Sequence, residues 1–158
     1  MLAVSRTSAT VVQEGLRAYA DRKIFRNFVE EQGKDGRIRF RFVYLGADVM
    51  NLEFREQDRT LVIRNMLPRV SAGMYADLQA FLQRLHDSEL PAYRRIDRSS
   101  AEAQFVRKRG NVSLVFRVKG GRYKYAVDKL IELASWIRTY LQGAYQTYLW
   151  EVMGEPVD

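Results

Sequence analysis

The residues of this chain with most capacity for chemistry are its lysines and arginines, and they are concentrated in one segment. Between residues 94 and 124 there are ten Lys or Arg side chains against two acids, more positive charge than the net +7 of the whole chain. Such a concentration indicates a surface for a polyanion or an acidic protein. The residues predicted to form this surface, here called the hairpin patch, are Arg107, Lys108, Arg109, Arg117, Lys119, Arg122 and Lys124.

The sequence leaves two interpretations of the hairpin patch open. In the first, it binds a nucleic-acid backbone or an acidic partner. In the second, it is a solvated sheet face whose arginines pair with acids such as Glu53 and Glu102. The aromatic residues available for stacking on bases are Tyr93, Tyr123 and Tyr125. The arginines that extend the patch, if their strand exposes the same face, are Arg37, Arg39 and Arg41.

Catalysis has little support in the composition. The chain has no cysteine and one histidine, His86, so disulfides, thiolate zinc sites and cysteine nucleophiles are excluded. His86 precedes Asp87, but no second histidine accompanies it, and we predict a capping or surface histidine. We predict no catalytic residue, no metal site and no cofactor, and expect a protein that is not an enzyme.

A strand-to-helix corner is a weaker candidate for an anion site. Lys119, Gly120, Gly121 and Arg122 can present backbone amides and positive charge to a phosphate. They lack the spacing of a phosphate-binding loop, and two glycines at such a corner more commonly form only the corner.

Length and composition predict one soluble domain. A chain of 158 residues with 47% hydrophobic and 28% charged side chains is typical of a globular protein. We expect a single domain over residues 1–158 with an ordered core of about residues 10–153. No apolar run approaches the roughly 20 residues that cross a bilayer, so we expect no membrane association and a cytoplasmic location.

Hydrophobic periodicity predicts the elements that position the hairpin patch. Strict alternation over residues 112–119, with Val112, Leu114, Phe116 and Val118 on one face, predicts the second arm of a β-hairpin spanning residues 103–119 with Gly110 and Asn111 in its turn. Alternation also predicts a three-stranded meander over residues 37–44, 49–55 and 60–66, and a short strand is possible at 93–96.

Helical spacing predicts three helices, over residues 10–32, 72–86 and 122–153, and a shift in the spacing near residues 21–23 indicates a bend or a break in the first. The first has Ser8 or Thr10 as its N-cap and the second Ser71, and Gly143 is expected to kink the third or to allow close packing there. The order is α-β-β-β-α-β-β-α. It predicts an α+β fold in which helices cover one side of an antiparallel sheet.

This order resembles the type III secretion chaperone-like fold, and more narrowly the bacterial sensory transduction regulator family, often called YbjN-type. Three segments carry the resemblance: the strand RIRFRFVY, the Asn65-Met66-Leu67-Pro68 strand end before the second helix, and the hairpin followed by KGGRYKYAVDKLIELASWIRTYL. The resemblance implies a small cytoplasmic protein, usually dimeric, that binds other proteins and has no catalytic chemistry. The chain itself is positively charged, and in this it departs from the secretion chaperones, which are typically acidic.

Two functions follow from these observations. The first is a non-enzymatic protein-interaction module, chaperone-like or regulatory, that acts as a homodimer and binds a protein with an acidic surface. The alternative is a nucleic-acid-binding protein that uses the basic hairpin around residues 94–124.

Overall fold

A six-stranded antiparallel sheet lies at the centre of the protein, which confirms the α+β class. The computed structural model describes residues 7–46 and 48–155, so residues 1–6, 47 and 156–158 of the predicted domain lie outside the described residues. The strands follow the order β1-β2-β3-β4-β6-β5 across the sheet. They are β1 (Arg26–Gln32), β2 (Arg37–Val43), β3 (Val49–Arg55), β4 (Thr60–Leu67), β5 (Ala101–Lys108) and β6 (Asn111–Val118).

The described part of the chain also forms four α-helices: α1 (Ser8–Asp21), α2 (Ala72–Arg84), α3 (Tyr123–Ala144) and α4 (Gln146–Glu151). The Ser71 hydroxyl accepts the N–H of Met74 at 3.1 Å, which confirms the predicted cap of α2. The cap of α1 is Thr7, whose hydroxyl accepts the N–H of Thr10 at 3.1 Å. The prediction of Ser8 or Thr10 at that position was therefore wrong by a residue or more.

One face of the sheet packs on the helices. Alternating side chains of the strands, such as Phe40, Phe54 and Leu114, share a single core cluster with Leu78 of α2 and Leu130 of α3. The intervening side chains point to the opposite face, here called the open face, and several of them are exposed. Among the described residues no helix covers the open face, as the alternation predicted.

The prediction of one helix over residues 10–32 was wrong. The chain leaves the helix at Lys23, which has a φ of 62°, and returns as strand β1. Phe25 and Phe28 are three residues apart and so imitate helical spacing, but Phe25 stacks on Phe42 with ring centroids 4.0 Å apart. The meander therefore has four strands, β1 to β4.

Two further element predictions were wrong. Residues 93–96 form no strand; a 3-10 turn, Ala92–Arg94, stands at that point. The last helix is broken at Tyr145, with φ −136° and ψ 47°, and not kinked at Gly143. The Tyr145 hydroxyl donates to Asp77 of α2, which raises the pKa of Tyr145 to about 12. This bond holds the break between α3 and α4 against α2.

The hairpin at the centre of the sequence prediction is confirmed. Strands β5 and β6 pair from Ala101 opposite Val118 to Lys108 opposite Asn111. The two turn residues are Arg109 and Gly110, with φ of 54° and 81°. Both angles are positive, as a two-residue type I′ turn requires. Of the two residues predicted in the turn, Gly110 is confirmed, whereas Asn111 belongs to strand β6.

Candidate anion-binding face

Six arginines lie on the open face of the sheet and form the strongest candidate site. They come from four strands, and the antiparallel register brings them together: Arg39 lies opposite Glu53, and Arg37 lies opposite Arg55. Arg117 follows in the same cross-strand row, opposite Thr60. This set, the arginine face, consists of Arg37, Arg39, Arg41, Arg55, Arg64 and Arg117.

A buried glutamate organises four of these arginines. Glu53 is 1% exposed although it lies on the face that no described helix covers. Arg55 Nε donates to its Oε1 at 2.6 Å, and Arg37 Nη1 lies 3.7 Å from the same oxygen. Arg39 Nε and Arg64 Nη1 lie 3.4 and 3.6 Å from Oε2. Long arginine stems can shield a carboxylate in this way while their charged ends stay in water.

The arginines keep Glu53 ionised. Burial by itself would raise the pKa of this carboxyl group, because the charged form loses its hydration. The hydrogen bond from Arg55 and the positive charges of Arg55, Arg37 and Arg64 outweigh that effect, and the pKa of Glu53 lies below its usual value. Glu53 is therefore an anion fixed at the centre of the arginine face.

One carboxylate does not saturate four guanidinium groups. Within the described residues Arg37, Arg39 and Arg64 donate no hydrogen bond of ordinary length, and their contacts to Glu53 are ion pairs longer than 3.3 Å. Oε2 of Glu53 likewise accepts no hydrogen bond there. The side chains of these three arginines are about half exposed, so their N–H groups are available to an external anion.

The hairpin patch does not form one surface. Arg107, Lys108 and Arg109 lie at the turn, whereas Lys119 and Lys124 lie at or beyond the other end of β6. The ends of β6 are seven residue steps apart, which corresponds to about 23 Å along the hairpin. Of the seven predicted residues, only Arg117 belongs to the arginine face.

Most of the remaining patch residues already have partners. Arg107 Nε donates to the Val70 carbonyl at 2.8 Å. Lys119 lies 3.1 Å from Glu102, and Lys124 lies 3.4 Å from Asp128. Arg122 lies over the Tyr125 ring and donates to Ser100 at 3.2 Å. The pairing of cations with Glu53 and Glu102, one of the two interpretations of the sequence, is thus present, but it leaves the arginine face with excess positive charge.

The tyrosines considered for stacking lie away from the open face. Tyr123 packs edge-on against the core ring of Phe54. The Tyr125 hydroxyl accepts the N–H of Asp97 at 2.9 Å. Tyr93 is exposed, but its turn lies beside α3, where Ala92 contacts Lys129. Among the described residues the alternating positions of the open face carry aliphatic, polar and charged side chains and no aromatic ring.

His86 is buried at the end of α2, so the surface alternative of its prediction was wrong and the capping alternative is confirmed. Its Nδ1 lies 2.9 Å from the Leu82 carbonyl, and its Nε2 accepts the N–H of Ala103 on β5 at 3.1 Å. The ring must therefore be neutral with the proton on Nδ1. Burial lowers the pKa of His86, in agreement with that tautomer. The residue caps an edge strand and faces no cleft with Asp87.

Within residues 7–46 and 48–155, the histidine is one of two side chains that bind the outer edge of β5. The Tyr75 hydroxyl of α2 donates to the Phe105 carbonyl at 2.9 Å. Phe105 lies two residues along β5 from Ala103, which contacts His86. The opposite edge of the sheet, β1, receives no hydrogen bond from another element on its outer side within the described residues. The sheet thus has one capped edge and one open edge.

No family model, curated protein or solved structure significantly matches this chain. The resemblance to the sensory transduction regulators therefore stays a prediction. None of the helices within residues 7–46 and 48–155 is long and apolar enough to cross a membrane. In the same residues no group of three or more His, Cys, Asp or Glu side chains is placed to hold a metal ion.

Proposed function

We propose that this chain is a non-enzymatic protein-interaction module that binds an acidic protein segment on its arginine face. The observation that carries the proposal is the excess of arginine around buried Glu53. Four guanidinium groups share a single carboxylate, and three of them offer unused N–H groups to solvent. Surfaces of this kind attract an acidic partner and fix its register through forked, charge-assisted hydrogen bonds.

The spacing of the arginines favours an extended partner. Arg37, Arg39 and Arg41 occupy alternate positions of β2, so their Cα atoms are about 6.6 Å apart. Acidic residues at alternate positions of an extended peptide have the same spacing. A peptide that lies along β2 over the open face can therefore present one carboxylate to each arginine.

A nucleic acid is the less favoured partner. Phosphates would also be attracted to the arginine face. Single-stranded nucleic acids, however, are commonly bound through bases stacked on aromatic rings, and among the described residues the open face carries none. The cations of the hairpin turn, on which the nucleic-acid hypothesis depended, lie about 23 Å from those at the base of the hairpin.

We extend the proposal to a type III secretion chaperone-like fold, a cytoplasmic location and a homodimer. One sheet face packed on helices supports the fold, with β1 as an additional strand and α4 as an additional helix in the order α-β-β-β-β-α-β-β-α-α. The open edge of β1 supports self-association, since an unpaired edge can pair with another chain. Light scattering across the micromolar range is expected to give the mass of a dimer, and a monomer throughout would contradict this part.

The binding proposal is tested by fluorescence anisotropy with two labelled probes. The first is a peptide in which glutamate alternates with serine, and the second is a single-stranded oligonucleotide of similar charge. We expect the peptide to bind with micromolar or tighter affinity that weakens as salt is added. Tight binding of the oligonucleotide without binding of the peptide would instead favour the nucleic-acid hypothesis.

Two triple variants with equal loss of charge locate the site. Changing Arg37, Arg39 and Arg41 to Gln removes three charges from the arginine face, and changing Arg107, Lys108 and Arg109 to Gln removes three from the hairpin turn. We expect the first variant to weaken peptide binding at least tenfold and the second by less than threefold. The reverse order would move the site to the hairpin, and equal losses would indicate attraction by net charge alone.

A further inference from the structure

A groove on the arginine face has enough hydrogen-bond donors to bind more than one carboxylate group. It has a volume of 430 Å³ and lies between β2, β3 and β4. Its floor contains Glu53, and Arg41 and Asn51 face each other across the β2–β3 ladder on its wall. Besides Glu53, the polar side chains that line it are Glu31, Arg39, Arg41, Asn51, Arg64 and Asn65.

The donors of this groove are largely unused. Arg41 donates to Glu31 at 3.0 Å, which holds one guanidinium in place at the rim. Arg39 and Arg64 make only long contacts to Glu53. Within the described residues the side-chain amides of Asn51 and Asn65 donate no hydrogen bond. Three guanidinium groups and two side-chain amides with unused N–H groups therefore line one concave surface.

A local irregularity of β4 places the last of these donors. The β4–β6 pairing shifts register between Ile63 and Leu67, and Asn65 within the shift has a φ of 49°. Its backbone N–H is bound to the Ser113 hydroxyl at 3.0 Å, so the backbone is fixed while the amide side chain stays available. Irregularities of this kind re-aim a side chain next to a binding site.

The positive charge of the groove also exceeds what its two carboxylates neutralise. Its three arginines outnumber Glu31 and Glu53 by one. Arg37 and Arg55, which lie beside the groove, also form ion pairs with Glu53. The five arginines and two glutamates leave an excess of three positive charges. A phosphate monoester carries a charge of about −1.5 to −2 at pH 7 and three strong acceptor oxygens. It thus suits these donors better than a carboxylate, which has one charge and two oxygens.

We infer that the groove of Arg39, Arg41 and Arg64 is a binding site for a phosphate monoester, carried by the acidic protein segment of the proposed function. This inference rests on that function and adds to it that the partner is phosphorylated. Arginine forks match the oxygen pairs of phosphate in a plane, whereas an ammonium group does not. Arg64 is the residue to change in a test of the groove. It contacts Glu53 from β4, on the other side of β3 from Arg39 on β2.

Three peptides of one sequence test the inference, with serine, glutamate or phosphoserine at the central position. By fluorescence anisotropy on the full chain, we expect the phosphoserine peptide to bind at least tenfold tighter than the glutamate peptide. Arg64→Gln is expected to abolish that preference, and Arg64→Lys to restore only part of it. Arg117→Gln, on the same face but outside the groove, is the matched control and should weaken both peptides equally and leave their ratio unchanged.

The outcomes separate the two proposals. Equal affinity for the glutamate and phosphoserine peptides would overturn the phosphate site and leave the acidic-partner function standing. A preference that survives Arg64→Gln would place the phosphate elsewhere and also overturn the inference. Failure of every acidic peptide to bind would overturn the proposed function together with it.

A titration with inorganic phosphate tests the groove without any peptide. The readout is the NMR signals of the arginine Nε–H groups and of the Asn51 and Asn65 amides, with chloride and acetate at equal ionic strength as controls. Saturable shifts confined to the groove, lost in Arg64→Gln, are expected with phosphate alone. Shifts of equal size with acetate, or spread over all surface arginines, would contradict a phosphate site.

Discussion

The replacement Glu53→Gln tests whether the buried carboxylate stabilises the arginine face. The amide has nearly the same shape and can still accept the hydrogen bond from Arg55, so the change removes charge and little else. A hydrogen bond to a charged group contributes about 1.5–3 kcal/mol and a neutral one about 0.5–1.5 kcal/mol, which places the loss at Arg55 near 1 kcal/mol. The three longer ion pairs are half exposed and add a few tenths each.

These contributions predict that Glu53→Gln lowers the free energy of unfolding by about 1–2 kcal/mol. The amide of glutamine costs less free energy to bury than the carboxylate of glutamate, and this difference reduces the loss toward the lower limit of that range. The loss should shrink in 1 M salt, where the screening length falls to about 3 Å and repulsion among the remaining arginines weakens. Urea denaturation is the appropriate measurement, because urea is uncharged and salt can be varied independently.

Glu102→Gln provides the control for this experiment. Glu102 also contacts two cations, Arg98 at 3.2 Å and Lys119 at 3.1 Å, but its side chain is 40% exposed. Exposed pairs contribute little, and we expect a loss of about 0.5 kcal/mol or less. A Glu53→Gln variant as stable as the native protein, or more stable, would refute the reasoning, because it would mean that the cost of burying the carboxylate exceeds its attraction to the arginines.

The pH dependence of the same pair of proteins gives an independent measurement. The pKa of Glu53 is lowered in the folded state relative to the value of 4.5 for an unperturbed carboxyl group. Its contribution to stability is therefore present above pH 4.5 and is lost as the pH falls through the folded-state pKa, where the carboxylate takes up a proton. The difference in stability between native protein and Glu53→Gln should narrow over that range, and a constant difference would contradict the assignment.

Three further predictions concern the core and the capped edge. Phe116 is fully buried, so Phe116→Ala should cost about 3–5 kcal/mol in urea denaturation, and a loss below about 1 kcal/mol would contradict its place in the core. Burial lowers the pKa of His86 in the folded state below its usual 6.5, so stability should fall as the pH drops below 6.5, and His86→Gln should flatten that slope if the histidine causes it. Tyr75→Phe leaves the Phe105 carbonyl without its side-chain donor and should cost about 1 kcal/mol by the same denaturation assay, whereas no loss would show that water replaces the hydroxyl.

Strict alternation was the most reliable signal in the sequence. In β2 and β6 alternate residues are buried along almost the whole strand, because each strand packs one face against the helices. In β3 the hydrophobic side chains alternate in the same way, but Glu53 between Leu52 and Phe54 is buried as well. The prediction of the first helix was wrong because the strand that follows it lacks such alternation. Strand β1 lies at an edge, has few buried residues, and contains a register shift between Arg26 and Val29, so its pattern carries no clean period of two. Phe25 and Phe28 then continued the helical spacing by coincidence.

The hairpin patch shows why charge density along the chain is a poor guide to a surface. Its seven cations are close in sequence, but a hairpin places the turn and the base at opposite ends of two strands. The arginine face has the reverse property. Arg39 and Arg64 are 25 positions apart in the numbering and approach the same oxygen of Glu53, because the β2–β3–β4 meander folds them onto one face.

The burial of Glu53 depends on register, which alternation alone does not specify. Met50, Leu52 and Phe54 fix Glu53 on the open face, but they do not say which residues lie opposite it on the neighbouring strands. Arg39 and Val62 take those positions, so the carboxylate has an arginine on one side and an aliphatic side chain on the other. A slip of one strand by two residues would keep every hydrophobic side chain on the core face but would place other residues opposite Glu53. The arginine face is therefore a property of the turns between β2, β3 and β4, and changes in those turns should affect partner binding before they affect the fold.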